Sequence, residues 1–297
     1  MTMKHEERSA VLCVGRIYCD LIFTGLDRMP VLGREVFADA LTIAAGGGAF
    51  ISAAHFVDVG RPAALVGRLG HDALSVAIEG QLAESGIDLS FLERAEDAGP
   101  QLTVASVIGS ERAFLTRRAG PAEPATLEAA LSWSHARHLH IAEYATLAEM
   151  PDLVSRAKAA GLSVSLDPSW DDALIGDPAL VANSRGIDLF LPNLEEAREI
   201  TGESDPAAML AALGAHFPNV VIKAGGEGAF ALCGGERLRQ EAEPVPVVDT
   251  TGAGDAFNAG FVDGWLEGAD PAASLAAAIR AGSRAVQTAG GAVRQVG

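Results

Sequence analysis

The residues best equipped for chemistry lie together at 247–258, V-V-D-T-T-G-A-G-D-A-F-N. A short apolar strand-like run ends at Val248, and a turn rich in Thr and Gly follows. Ala256, Phe257, Gly260, Phe261, Gly264 and Trp265 then recur at helical spacing, so a helix is expected to begin near Asp255. A small-residue turn feeding a helix leaves backbone N–H groups unpaired, and the helix dipole adds partial positive charge. Such a turn receives anions. Gly252 and Gly254 lack a Cβ, which lets backbone and anion approach closely. Asp255 sets a carboxylate where a second anion is expected. In a first helical turn an Asp is ordinarily just stabilising. Beside an anion-binding turn it fits phosphoryl transfer better. The amides of Gly252, Ala253 and Gly254 would hold the phosphoryl group, and Asp255 would accept a hydroxyl proton.

The elements that must position this turn are legible from residue 150 onward. Helix 150–160, strand 163–166, a helix, strand 188–191, helices 194–201 and 207–215, and strand 220–222 alternate. That order predicts a parallel sheet covered by helices, with ligands outside the C-terminal strand ends. Asp167, then Asn193 and Glu196, then the glycine-rich 223–228 all fall at such ends. Asn193 and Glu196 also have the spacing of a helix capping box.

Upstream, 10–14 reads as a buried strand ending at Gly15, and 21–23 and 35–43 as short strands of a small β layer. Three glycines precede a helix at 49–59 that Gly60 terminates. Strand 63–66 runs into G-R-L-G-H-D, a helix follows at 74–85, and 101–118 reads as a hairpin around G-S-E-R. A last helical region covers 271–288. His135, His138 and His140 form H-x-x-H-x-H, but 138–141 alternates like a strand and no fourth metal ligand is evident, so these histidines read as structural.

The net charge of −17 argues against a nucleic-acid or membrane-surface role. It also requires any nucleotide to be received by local positive features: helix N-termini, a metal ion and a few placed cations. Lys4, Lys158 and Lys223 are the only lysines, which draws attention to Lys223 beside its glycine-rich turn. Cys13, Cys19 and Cys233 are too irregularly spaced for a disulfide framework. The N-terminus lacks a signal peptide's long apolar segment and no run is long enough to span a membrane, so a cytoplasmic protein is expected.

D-T-T-G-A-G-D-A-F resembles the C-terminal signature of the ribokinase-like (PfkB) carbohydrate kinases, and four more motifs follow that family's order along nearly the whole chain. The resemblance implies an α/β ribokinase-like fold over 1–297, a mostly parallel sheet flanked by helices, with a small β-sheet lid from about 16–45 and 98–118. It implies Asp20 as a ligand of sugar hydroxyls, and Gly46 and Gly47 as the Gly-Gly substrate motif. Glu143, at a strand end, falls where related kinases place a polar sugar contact. Where the family usually has Asn, this chain has Ile51, whose apolar side chain cannot replace the amide's hydrogen bonds. The resemblance also implies ATP at Asn193, Lys223, Gly225 and Gly228, and Mg²⁺ associated with Glu196 through water. Some family members add a monovalent cation such as K⁺, for which Asp249 would be the ligand.

These readings converge on a kinase that phosphorylates a hydroxymethyl of a sugar-like substrate. A nucleoside kinase of the same fold is the nearer alternative, since Ile51 suits a base or a deoxy position. A catalytically silent sugar- or nucleotide-binding sensor is the alternative of another class. A dehydrogenase fails because no G-x-G-x-x-G follows the first strand. The lid layer also invites a homodimer through its exposed face.

Overall fold

The computed structural model describes residues 8–109, 111–288 and 291. Strand β1 (Ala10–Val14) is five apolar residues, all buried, as expected of a strand covered on both faces. The chain then leaves for a separate small sheet, contributing β2 (Tyr18–Thr24) and β3 (Ala40–Gly46). Only the second half of the expected 35–43 strand is extended; residues 35–39 are irregular. Helix α1 (Gly48–Asp58) returns to the large sheet at β4 (Ala63–Leu69). The helix expected at 74–85 divides at Ile78 into α2 (Ala73–Ala77) and α3 (Glu79–Glu84), followed by β5 (Leu92–Arg94). The expected hairpin is β6 (Leu102–Ile108) and β7 (Glu111–Arg117).

After α4 (Leu127–Leu131) the chain alternates: β8 (Ala136–Ile141), α5 (Tyr144–Glu149) and α6 (Leu153–Ala159), β9 (Ser163–Leu166), α7 (Leu180–Asn183), β10 (Leu189–Phe190), α8 (Leu194–Thr201) and α9 (Pro206–Gly214), β11 (Asn219–Lys223). The antiparallel β12 (Ala229–Cys233) and β13 (Glu236–Gln240) close one edge, and α10 (Ala253–Leu266) and α11 (Pro271–Ala285) complete the described elements.

The large sheet has nine strands in the order β13-β12-β11-β10-β9-β8-β1-β4-β5, parallel from β11 to β5. The small sheet has four, in the order β3-β2-β6-β7. Alternate residues of the large sheet feed two apolar clusters. Cys13, Leu65 and Val221 meet α1, α10 and α11 on one face; Leu12, Leu139 and Val164 meet the helices between β8 and β11 on the other.

One expectation fails. The apolar run ending at Val248 is not a strand: 241–247 has no regular structure, and Val247 and Val248 are 64% and 63% exposed. Pro244 and Pro246 lack the N–H groups a ladder needs, and β13 already forms the edge. No helix among the described residues is long and apolar enough to cross a membrane.

Candidate active site

The glycine turn opens α10 as expected, with the helix beginning at Ala253 rather than Asp255. Gly252 sits in the left-handed region, φ 75°, and a Cβ there would overlap the backbone of Gly291. Only glycine fits. Ala253 N–H bonds Thr250 O at 3.3 Å, so this amide closes the turn. Asp255 lies in the first turn of the helix, half-buried, and Ser52 Oγ of α1 donates to its Oδ1 at 2.5 Å. Burial pushes the Asp255 carboxyl up to about 7; Ser52 and Lys223 counter the rise and Asp167 adds to it.

Lys223 ends β11 and lies beside Gly254, so the lysine expected at the nucleotide and the turn expected to hold an anion share one site. Its Nζ pairs with Asp167 Oδ2 and reaches Asn258 Oδ1 at 3.4 Å, while Asn258 Nδ2 donates to Asp167 Oδ2 at 2.6 Å. Burial alone would lower the Lys223 pKa, yet Asp167, Glu196 and Asp255 together carry it above the ordinary lysine value. Lys223 therefore stays a cation in a crowd of carboxylates. Asn258, the last residue of the signature stretch, was not singled out from sequence, and Asp167 was noted only for its place at a strand end.

Asn193 and Glu196 form the expected capping box at the start of α8: Asn193 N–H donates to Glu196 Oε2 at 2.7 Å and Glu196 N–H to Asn193 Oδ1 at 2.9 Å. Glu196 is buried, and its carboxyl is raised to about 7 by burial and by Asp167, with Lys223 opposing. Gly225 and Gly228 both take positive φ, and a Cβ on Gly228 would overlap Gln240 O. Between this loop and α10 lies a cavity of about 410 Å³, lined by Lys223, Gly225, Gly228, Gly254 and Thr250 at one end and by Val245, Val247, Phe257, Ile279 and Val286 around it. Val245 and Val247 find apolar neighbours along this wall rather than in a sheet.

The residues expected at the substrate lie on and beside the small sheet. Asp20 on β2 is half-buried, with its carboxylate over Gly46, where a Cβ would collide with it. Burial raises its pKa to about 6. Gly47, φ 94°, precedes α1 and leaves room for Arg16 O. Glu143 caps the approach to α5; its Oε1 accepts from Thr146 Oγ1 at 2.8 Å and Arg16 N–H at 3.4 Å. Ile51 is 8% exposed, and its side chain packs toward Gly291 beside Thr251, within the contact between α1 and the glycine turn. Asp249, the expected cation ligand, is instead engaged by Arg112 of β7, whose guanidinium also reaches Thr251 Oγ1; Thr251 N–H and O–H donate to the same Asp249 oxygen at 2.9 and 2.7 Å.

The family model described as pfkB family carbohydrate kinase matches residues 8–295. The chain belongs to the pfkB family of carbohydrate kinases. The kinase is 31% identical over 221 residues to the 2-dehydro-3-deoxygluconokinase of Bacillus subtilis (strain 168), covering 68% of each chain. Its fold matches the structure of Arabidopsis thaliana ribokinase complexed with ribose and ATP, with TM-score 0.83, 24% identity and coverage of 95% and 94% of the two chains. A putative ribokinase II from E. coli in complex with ATP and Mg²⁺ matches at TM-score 0.78 and 20% identity, over 95% and 94%. The ribokinase-like α/β fold expected from sequence is thereby established.

Proposed function

We propose that this kinase moves the γ-phosphoryl group of ATP to a hydroxymethyl of a sugar-like substrate lying between Asp20 and Asp255. The observation that carries the reading is Asp255 itself. A carboxyl raised to about 7, fixed by Ser52 and set in the first turn of a glycine-opened helix, can accept a hydroxyl proton at neutral pH. The turn at Gly252 and Gly254, with Lys223 alongside, receives charge on the transferred group. The nucleotide occupies the 410 Å³ cavity, its base against the apolar wall and its phosphates toward Lys223.

Mg²⁺ fits the donor set only as an indirectly held ion. Among the described residues no three metal-ligating side chains cluster, and Glu196 has one oxygen committed to its cap. A carboxylate that holds Mg²⁺-bound water is compatible with that arrangement. When bound, the ion neutralises phosphate charge. A K⁺ ion at Asp249 fits poorly, because a guanidinium already meets that carboxylate. We therefore assign no step to K⁺.

Asp20 supports a polyhydroxylated substrate, since a half-buried carboxylate needs donors and sugar hydroxyls supply them. A nucleoside acceptor would use the same hydroxyls. A silent sensor would bind without turnover, and the intact Asp255–Ser52 pair favours catalysis. The small sheet serves as a lid over the acceptor. Its exposed Leu41, Ile43, Phe114 and Leu115 suit a second copy of the chain, and a cytoplasmic location suits an ATP-consuming enzyme. The test is ADP release over a panel of sugars, sugar acids and nucleosides, with Asp255→Asn as blank. Release with one of these classes supports the reading; ligand-induced thermal stabilisation without ADP would favour the sensor.

A further inference from the structure

Two histidines of the H-x-x-H-x-H motif lie behind Asp255, inside the large sheet's helix-covered face. His138 and His140 are fully buried on the face of β8 that meets α1 and α10. In the parallel register they stand opposite Ser163 and Ser165 of β9, and Ser52 and Ser165 are fully buried as well. The contacts are continuous. Ser52 Oγ meets Asp255 Oδ1 at 2.5 Å and His140 Nε2 at 3.3 Å. His140 Nδ1 meets Ser165 Oγ at 2.8 Å, Ser165 Oγ meets His138 Nε2 at 2.7 Å, and His138 Nδ1 meets half-buried Ser163 Oγ at 2.7 Å. Hydroxyl and imidazole alternate, so each group can accept on one side and donate on the other.

Around them that sheet face is apolar: Val11, Cys13, Leu65 and Leu189 lie on it. A hydrogen-bonded polar chain through such a layer gains little over packed aliphatic side chains, because its groups must all be desolvated. Its ends supply a reason for it. One is the proposed base, and the other is Ser163 at the N-terminal end of β9, away from the strand ends that bind ligands.

We propose that Ser52, His140, Ser165, His138 and Ser163 form a proton path joining Asp255 to the opposite end of the large sheet. The proposal rests on Asp255 being the base. Transfer needs Asp255 ionised, and the path ionises it while the acceptor covers the site. Protonated Asp255 gives its proton to Ser52 as Ser52's own proton moves to His140 Nε2. The Nδ1 proton of His140 passes to Ser165, that of Ser165 to His138 Nε2, and the Nδ1 proton of His138 leaves through Ser163 to water. One proton leaves Asp255, one reaches water, and both rings end as Nε2–H; the reverse shift protonates Asp255 again. Transfer then forms the bond from the acceptor oxygen to the γ-phosphorus, breaks the bond to ADP and leaves the hydroxyl proton on Asp255, which loses it to water as product departs.

Both rings are held neutral, as a relay of this kind requires. Burial lowers His140 to about 4, with Asp167 opposing and Lys223 adding; burial lowers His138 well below the ordinary value, helped by His140, Arg61, Lys158 and Arg137. Asp167 and Lys223 are likewise the charged groups facing Asp255.

The path makes the two tautomers follow the protonation of Asp255, which long-range ¹H–¹⁵N spectra of ¹⁵N-histidine-labelled full-length kinase report without any acceptor. Above the Asp255 titration both rings should be Nε2–H, with hydroxyls turned toward the carboxylate; below it both should become Nδ1–H. Asp255→Asn should hold both rings in one pattern at every pH. Ser165→Ala should leave His140 responsive and disconnect His138, and Ser165→Thr should reconnect it. Thermal unfolding of each variant reports whether it is folded. A folded wild type whose His138 tautomer ignores both pH and Asp255→Asn overturns the path. Because the spectra need no turnover, that failure is distinct from an absence of ADP release, which would overturn the kinase reading.

Discussion

The guanidinium of Arg112, on the edge strand β7 of the small sheet, clasps the carboxylate of Asp249 three residues before Gly252. This pair joins the small sheet to the glycine turn that opens α10. Both side chains are partly withdrawn from solvent, at 29% and 18% exposure, so the pair is stronger than an ion pair free on the surface.

Arg112→Gln is therefore expected to reduce kcat/KM by about tenfold, the equivalent of ~1.4 kcal/mol, because closure no longer orders the turn. Arg112→Lys should recover only part, since an ammonium lacks the fork that meets Asp249 and Thr251 together. Wild-type rates should be equal in potassium and choline salts, as a built-in cation makes an added one unnecessary. Steady-state kinetics in the two salts checks both points.

The raised Asp255 carboxyl gives two pH effects of opposite sign. Catalysis needs the ionised base, so kcat should rise with pH through about 7. Stability runs the other way. A carboxyl whose folded-state pKa lies above its ordinary 3.8 favours the folded state below that value, and the contribution is lost as pH rises through about 7. Asp255→Asn should thus unfold at a higher temperature than wild type at pH above this range, with the difference vanishing in acid. Thermal melts across pH measure it.

Ile51 is expected to matter through packing. It is buried against the glycine-turn region, so Ile51→Asn would place an amide among apolar neighbours. We expect a loss of about 1–3 kcal/mol in urea unfolding, without a new sugar contact. A stable variant with an improved sugar KM would show that the side chain faces substrate.

The comparison of sequence and structure has a physical pattern. The capping box at Asn193 and Glu196, the β1 run and the start of α8 depend on neighbours in the chain and were legible from periodicity and cap chemistry. Asp167, Lys223 and the 223–228 loop were placed because parallel strands deliver their C-terminal ends to one edge. Contacts between distant segments were not legible. Ser52 lies 203 residues from Asp255 and Arg112 lies 137 from Asp249, and no local pattern marks either partner. Asn258 reads as core from its helical position, and the run ending at Val248 reads as a strand although Val245 and Val247 line a cavity and Val248 is exposed. His138 and His140 stand out in H-x-x-H-x-H, but Ser163 and Ser165 carry no such mark, and only the β8–β9 register pairs them.

The central claim is that Asp255 is the base, and its most direct measurement is the turnover of Asp255→Asn beside its ATP affinity. The account predicts a fall in kcat of at least ~10²-fold with ATP binding by calorimetry little changed, since the carboxylate acts on the acceptor hydroxyl and not on the nucleotide. Near-wild-type turnover in that variant would contradict it.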